Sequence, residues 1–213
     1  AISSYTKVTK YQPTWAIGFT MLGQIHSLQE NPDQAIDNFK KALNLLPDDY
    51  DLNFTLGTEL FQNDDIDEAI TYLEKALAQE PNSSATLTML GGASNRKADH
   101  KLAMSYYKQA LVLDPKDEKL HFNIGNALQA EDSFDAAIAS YQRALKIKPD
   151  DAEVYQNMGI AFKAKGAFDA AIASFKKAIE IKPENVEAYN SLGSSLYKKG
   201  DLKEAIESFQ QAI

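Results

Sequence analysis

The chain has 213 residues, 44% hydrophobic and 24% charged, with 30 acidic side chains against 22 basic ones and a net charge of -8. This acidic surplus repels phosphate backbones and anionic membrane surfaces, so nucleic acid is not an expected partner. With no cysteine the sequence has no disulfide, thiolate nucleophile or cysteine zinc site, and no apolar run approaches the roughly eighteen residues of a membrane-spanning helix.

Gly23, Gly57, Gly91, Gly125, Gly159 and Gly193 recur every 34 residues, and Pro13, Pro47, Pro81, Pro115, Pro149 and Pro183 keep the same interval. A fixed period of this length marks stacked units that bury their apolar sides against one another and leave a long surface to vary. Binding is therefore the expected role. The opening segment 1–15 reads as the second half of a cut unit, because Ala1, Ile2, Tyr5, Val8 and Pro13 align with Ala35, Ile36, Phe39, Ala42 and Pro47. Units follow at Ala16–Asp49, Tyr50–Ser83, Ser84–Asp117, Glu118–Asp151, Ala152–Asn185 and, incomplete, Val186–Ile213. One array over 1–213, a piece of a longer protein, is the expectation.

Apolar residues inside a unit follow helical spacing twice, for example Tyr155, Met158 and Phe162, then Ile172, Phe175 and Ile179. Each unit is thus predicted to be two helices, and the chain thirteen. Asp49, Ser83, Asp117, Asp151 and Asn185 precede the first helices and are suited to accept bonds from first-turn amides. Asn31, Asp65, Asp99, Ser133 and Asp201 stand before the second helices as further cap formers, with Ala167 the exception and Pro32 placed for a first turn. The proline column closes each second helix, since proline lacks the amide that would continue it. Helices of about fourteen residues are marginal alone, so stability must come from stacking.

The columns resemble the tetratricopeptide repeat over nearly the whole chain. The resemblance rests on the glycine and proline columns and on two alanine columns: Ala35, Ala69, Ala103, Ala137, Ala171 and Ala205, then Ala42, Ala76, Ala110, Ala144, Ala178 and Ala212. It also rests on a bulky column of Phe39, Leu73, Tyr107, Tyr141, Phe175 and Phe209. Phe134–Pro149 and Phe168–Pro183 are identical at 11 of 16 places and look like recent duplicates. Glu59 and Gln79 stand in otherwise apolar or small columns, so packing in the second unit is expected to be disturbed. Pro32 and His100 replace the apolar residue of Ile66, Phe134, Phe168 and Leu202, and their two turns are expected to depart from the rest.

The resemblance implies an all-α, right-handed superhelix whose first helices line a concave groove for an extended peptide or a partner helix. In the first half of the chain the family columns place Thr20, Gln24, Phe54, Thr58, Phe61, Thr88, Asn95 and Arg96 in that groove. In the second half they place Phe122, Asn123, Asn126, Gln129, Gln156, Asn157, Lys163, Asn190, Ser194, Tyr197 and Lys198 there. Amides can bond a ligand's main chain, and Phe54, Phe61 and Phe122 are either apolar anchors or ordinary packing residues. The lysine, asparagine and arginine clamp of chaperone-tail binders is not matched, because Thr20, Gln24, Thr55, Ala85 and Met89 carry no positive charge there. Asn123 and Asn157 match the asparagine ladder of O-linked N-acetylglucosamine transferases, whereas Met21, Thr55, Met89 and Ser191 do not.

Tyr50–Ser83 carries a charge of -7 and Ser84–Asp117 one of +2. The cluster Asp64, Asp65, Asp67 and Glu68 reads as a solvated edge beside a helix N-terminus, with docking of a basic partner as the sharper alternative. It lacks the glycine and distal glutamate of a calcium loop. His26, His100 and His121 fall in packing columns and read as spacers, so no metal is expected. Gly91-Gly92 lies inside a first helix, where Gly92 opens room in the groove. There is no nucleophile elbow, phosphate loop or catalytic carboxylate pair, and no cofactor is expected. The expected function is a non-enzymatic scaffold that binds a protein or peptide. Two alternatives are a substrate-recruiting arm of a larger enzyme, such as a glycosyltransferase, and end-to-end self-association through Ile206, Phe209 and Ile213.

Overall fold

The computed structural model describes residues 2–213, the side chain of Ser3 excepted, so Ala1 and its alignment with the alanine column lie outside the described residues. Thirteen helices follow in order: α1 (Ile2–Tyr11), α2 (Ala16–Leu28), α3 (Pro32–Leu45), α4 (Tyr50–Gln62), α5 (Ile66–Gln79), α6 (Ser84–Arg96) and α7 (His100–Leu113). Then come α8 (Glu118–Ala130), α9 (Phe134–Ile147), α10 (Ala152–Ala164), α11 (Phe168–Ile181), α12 (Val186–Lys199) and α13 (Leu202–Gln211). No strand occurs among the described residues. All six first helices begin on the residue that the glycine frame assigns.

The helices gather into two compact units, Ala1–Leu113 and Asp114–Ile213. In the first, each helix from α1 to α7 packs on the next, and α4 also touches α6. In the second, each from α8 to α13 packs on the next, and α10 touches both α8 and α12. Within each unit the closer spacing of these first helices puts them on the inner side of the stack. The second helices α3 and α5 are bridged by long side chains, Lys40 to Glu68 at 2.7 Å, as are α11 and α13, Lys176 to Glu204 at 3.5 Å.

The glycine column exists because the bulky column sits on it. A β-carbon at Gly159 would lie 2.7 Å from the Phe175 ring, and one at Gly23 would lie 2.6 Å from the ring of Phe39. Such contacts are closer than packed atoms tolerate, so only glycine admits the ring. Phe39, Leu73, Tyr107, Tyr141 and Phe175 are buried there, beside alanines that let the helices approach. The disturbance expected around Glu59 does not occur: Leu56, Leu60 and Leu73 are fully buried, the Glu59 carboxylate accepts a bond from the Ser27 hydroxyl at 2.9 Å, and Gln79 lies in solvent.

Asp49, Ser83, Asp117, Asp151 and Asn185 all cap their helices, Leu52 N–H donating to Asp49 at 2.8 Å and Ala188 N–H to Asn185 at 3.0 Å. The caps expected on the second helices are a different matter. Asn31, Asp65, Ser133 and Asp201 make no side-chain cap bond, and only Asp99 does, accepting from Leu102 N–H at 3.0 Å. Their backbone is rotated, with ψ of 61° at Asp65 and 58° at Ser133 against 120° at Asp49. The main chain closes these turns instead, Asp65 N–H donating to Leu60 O at 2.9 Å and Ser133 N–H to Leu128 O at 2.8 Å.

One residue earlier the chain is left-handed in all six turns, at Glu30, Asp64, Ala98, Asp132, Gly166 and Gly200, with φ from 55° to 98°. The turns ahead of Pro32 and His100 therefore do not depart from the others: Glu30 has φ 57° and Ala98 φ 59°. The backbone bonds across the turn fix its shape, and the first helical side chain does not.

Candidate functional site

On the inner helices of the first unit, Thr20, Phe54, Thr58, Phe61, Thr88 and Asn95 are half-buried, while Gln24 and Arg96 are exposed. The three threonine hydroxyls donate back into their own helices, Thr58 to Phe54 O and Thr88 to Ser84 O at 2.8 Å and Thr20 to Ala16 O at 3.1 Å. They keep lone pairs for a ligand but no proton. The two phenylalanines of α4 have different neighbours. Phe54 stacks on Tyr50, with ring centroids 5.9 Å apart. Phe61 packs on the core cluster around Leu56 and Leu60, and its ring lies 3.6 Å from where a Gly92 β-carbon would stand. The room that Gly92 opens is thus occupied by Phe61.

Arg96 covers the outer face of that ring, its guanidinium carbon 4.3 Å from the centroid, and donates to Phe61 O at 3.0 Å and to Asp64 at 3.1 Å. The acidic cluster is similarly engaged: Lys97 pairs with Asp67 at 2.5 Å and Lys40 with Glu68. Asn95 Oδ1 lies 2.7 Å from His100 Nδ1. His121 does more than fill space, since its Nε2 lies 3.3 Å from the Pro115 carbonyl and ties α8 to the loop before it. Among the described residues no group of three or more histidine or acidic side chains is placed to hold a metal ion.

On the inner helices of the second unit, Phe122, Asn123, Asn126, Gln129, Gln156, Asn157, Lys163 and Ser194 are half-buried, and Asn190, Tyr197 and Lys198 are exposed. Several amides are spent internally. The Tyr141 hydroxyl donates to Asn126 Oδ1 at 2.8 Å, with Gln129 Oε1 a second acceptor at 3.2 Å, and Asn157 Nδ2 donates to the same Asn126 oxygen at 3.0 Å. Burial pushes the Tyr141 phenol far above its ordinary range, so it remains a donor. Asn185 Nδ2 donates to Gln156 Oε1 at 2.7 Å and closes the surface between α10 and α12.

Asn123 makes no such bond and opens, with Phe122, onto a cavity of about 380 Å³. Ala144, Val154 and Phe122 give it apolar walls, and Glu118, Lys119, Lys148, Asp151 and Glu153 a rim of both signs. Phe122 is held by packing on the Tyr141 cluster, with ring centroids 6.0 Å apart. Lys148 bonds Asp151 at 2.9 Å. Burial raises the Asp151 carboxyl, but the bond from Lys148 and the amides of Val154 and Glu153 outweigh it and hold the group below the usual carboxylate range. In the first unit the same columns form a cavity of about 180 Å³ between Thr20, Leu46, Leu52 and Thr55. Lys148 and the cavity were not legible as site features in the sequence. Asp151 signals only a helix cap, and Lys148 sits in a loop position with no distinguishing neighbour.

The family model of the cilia and flagella-associated protein 70 C-terminal domain, a tetratricopeptide-repeat domain, matches residues 8–213. The chain belongs to this tetratricopeptide-repeat family. Among solved structures, MamA is 31% identical to this tetratricopeptide chain, over 74% of it and 92% of MamA, with a TM-score of 0.68. YrrB, a TPR protein with an unusual peptide-binding site, is 24% identical over 88% of this chain and 97% of its own, with a TM-score of 0.67. A tetratricopeptide repeat protein from Parabacteroides merdae is 16% identical over 92% of this chain and 78% of its own, with a TM-score of 0.78. The last two likenesses are of fold alone. No curated protein sequence matches the chain significantly.

Proposed function

We propose that this tetratricopeptide chain is a non-enzymatic interaction scaffold that holds an extended peptide of a partner protein on its inner helices. The observation that carries this reading is the cavity at Phe122 and Asn123. An apolar pocket of about 380 Å³ beside an amide with free donors and acceptor matches one apolar side chain plus the main chain on either side of it. The fold hosts a peptide-binding site in YrrB, which supports the class of function and not the ligand. In this reading Phe122 and Asn123 face the ligand, while in the first unit Phe61 and Arg96 brace one inner helix against the next. Selection of peptides from a displayed random library on the whole chain tests it. Phe122→Ala and Asn123→Ala should each weaken the selected peptide at least tenfold with unchanged helix content, Phe61→Ala should act mainly on stability, and full retention of binding by both Phe122→Ala and Asn123→Ala overturns the proposal.

A second reading is self-association through α13, where Ile206 is 59% and Phe209 39% exposed. Light scattering that gives the monomer mass at every concentration sinks it.

A further inference from the structure

The cavity of about 180 Å³ in the first unit and the one of about 380 Å³ in the second are built from the same columns of the repeat. At two of those columns the second unit has Lys119 and Lys148, whereas the first has Ile17 and Leu46. Asp49 is the counterpart of Asp151 and Asp51 that of Glu153, so the first-unit pocket keeps both carboxylates and loses both cations. No lysine or arginine lines it, and neither Asp49 nor Asp51 forms an ion pair among the described residues. Asp151, by contrast, holds Lys148 at 2.9 Å. Ile17 and Leu46 are 56% and 46% exposed, an open apolar surface on one wall of the pocket. The polar atoms beside it are mainly acceptors. The Thr20 hydroxyl donates to Ala16 O, Asp49 accepts from Leu52 N–H at 2.8 Å through one oxygen and keeps the other, and Asp51 is exposed. Residues 16–83, which hold the pocket, carry 13 acidic side chains against 3 basic ones.

We infer that this pocket is a subsite for a lysine or arginine side chain of the partner peptide, its methylene stem lying on Ile17 and Leu46 and its charged head meeting Asp49 and Asp51. The inference rests on the inner helices being the peptide-binding surface and adds the charge of the ligand at this place. A basic side chain combines a long apolar stem with donors and no acceptor, which is what these walls ask for. A purely aliphatic side chain would cover Ile17 and Leu46 but leave the carboxylates without a donor, and an acidic one would be repelled by both. The negative surplus of 16–83 draws a basic segment in from a distance, and charge-assisted hydrogen bonds to the two carboxylates then fix it. In the second unit Lys119 and Lys148 supply positive charge from within the chain, and that pocket is left to an apolar side chain.

The test is a titration of the whole ¹⁵N-labelled chain with a blocked hexapeptide of alternating arginine and glycine, followed by NMR. The comparison probe is the same peptide with citrulline, which keeps the shape of arginine and removes its charge. The backbone amide signals of Ile17, Leu52 and Thr55 should move and saturate with the arginine peptide, at an affinity at least tenfold above that for the citrulline peptide. Two variants separate folding from binding: Ile17→Lys with Leu46→Lys installs the residues that the second unit carries at these columns, and Asp51→Asn removes one exposed charge without touching the Asp49 cap. Both should keep the native spectrum, the double variant weakening the arginine peptide at least tenfold and Asp51→Asn severalfold. Unmoved signals at millimolar peptide, equal affinity for the two peptides, shifts spread evenly over exposed carboxylates outside the pocket, or unchanged affinity in the folded double variant each overturn the inference. The library-selected peptide and its loss in Phe122→Ala test the peptide-binding reading on the second unit, so a failure there is told apart from a failure here.

Discussion

Ala98 bears a β-carbon in a left-handed position, φ 59°, which the same column fills with glycine at Gly166 and Gly200. A non-glycine residue pays about 1–2 kcal/mol for that conformation, and glycine returns part of the gain through its freer unfolded chain. Ala98→Gly should therefore raise stability by roughly 0.5–1 kcal/mol in denaturant unfolding. An unchanged midpoint would mean that the turn relaxes in solution. Asp151 is the other residue with a measurable consequence. Its carboxyl is held below the usual range when folded, so its contribution is present above the unfolded value of about 4 and is lost as pH falls through the lower folded value. Asp151→Ala should cost about 1 kcal/mol at neutral pH, the ordinary worth of a cap. That difference should shrink in unfolding curves taken at successively lower pH.

Two adjacent glycines of α6 show how far an element depends on what it meets. A β-carbon at Gly91 would stand 2.6 Å from Tyr107 Cδ1, whereas one at Gly92 would meet Phe61 at an ordinary 3.6 Å. Gly91→Ala should cost about 1–3 kcal/mol through overpacking. Gly92→Ala should gain up to about 1 kcal/mol of helix propensity without strain. Thermal melts of the two variants should move in opposite directions, and a rise in both would show that propensity alone governs the helix. At this scale the sequence was highly legible. Helix starts follow from Asp49, Ser83, Asp117, Asp151 and Asn185, because a cap is a bond between residues three apart. The second-helix caps misled, since Asp65 and Ser133 have the right chemistry but a backbone rotated by the turn before them.

Across the molecule, ion pairs recur at one place in the repeat: Asp67 with Lys97, Asp135 with Lys165, and Asp169 with Lys199, each inside its own compact unit. All three aspartates are 85% exposed, so solvent and salt screen the pairs heavily. Replacing Lys97, Lys165 and Lys199 by methionine together should lower the melting midpoint slightly at low salt and leave it unchanged at 1 M salt. A large loss that persists in high salt would show that these lysines act through packing. Of the acidic cluster, Asp64, Asp67 and Glu68 pair with Arg96, Lys97 and Lys40, and Asp65 accepts from the Asn63 amide.

By itself the sequence determined the fold class and the thirteen helices. Each of these depends on spacings within a unit, and a period of 34 residues repeats the same local physics six times. Only the tertiary structure decided which polar side chains are free. Asn126, Gln129, Asn157 and Asn123 are alike as letters on an inner helix, yet the first three are joined through Tyr141 and one another, and Asn123 is left facing a cavity. A hydrogen-bond partner 15 or 31 residues away is set by how helices stack, and no local spacing encodes it.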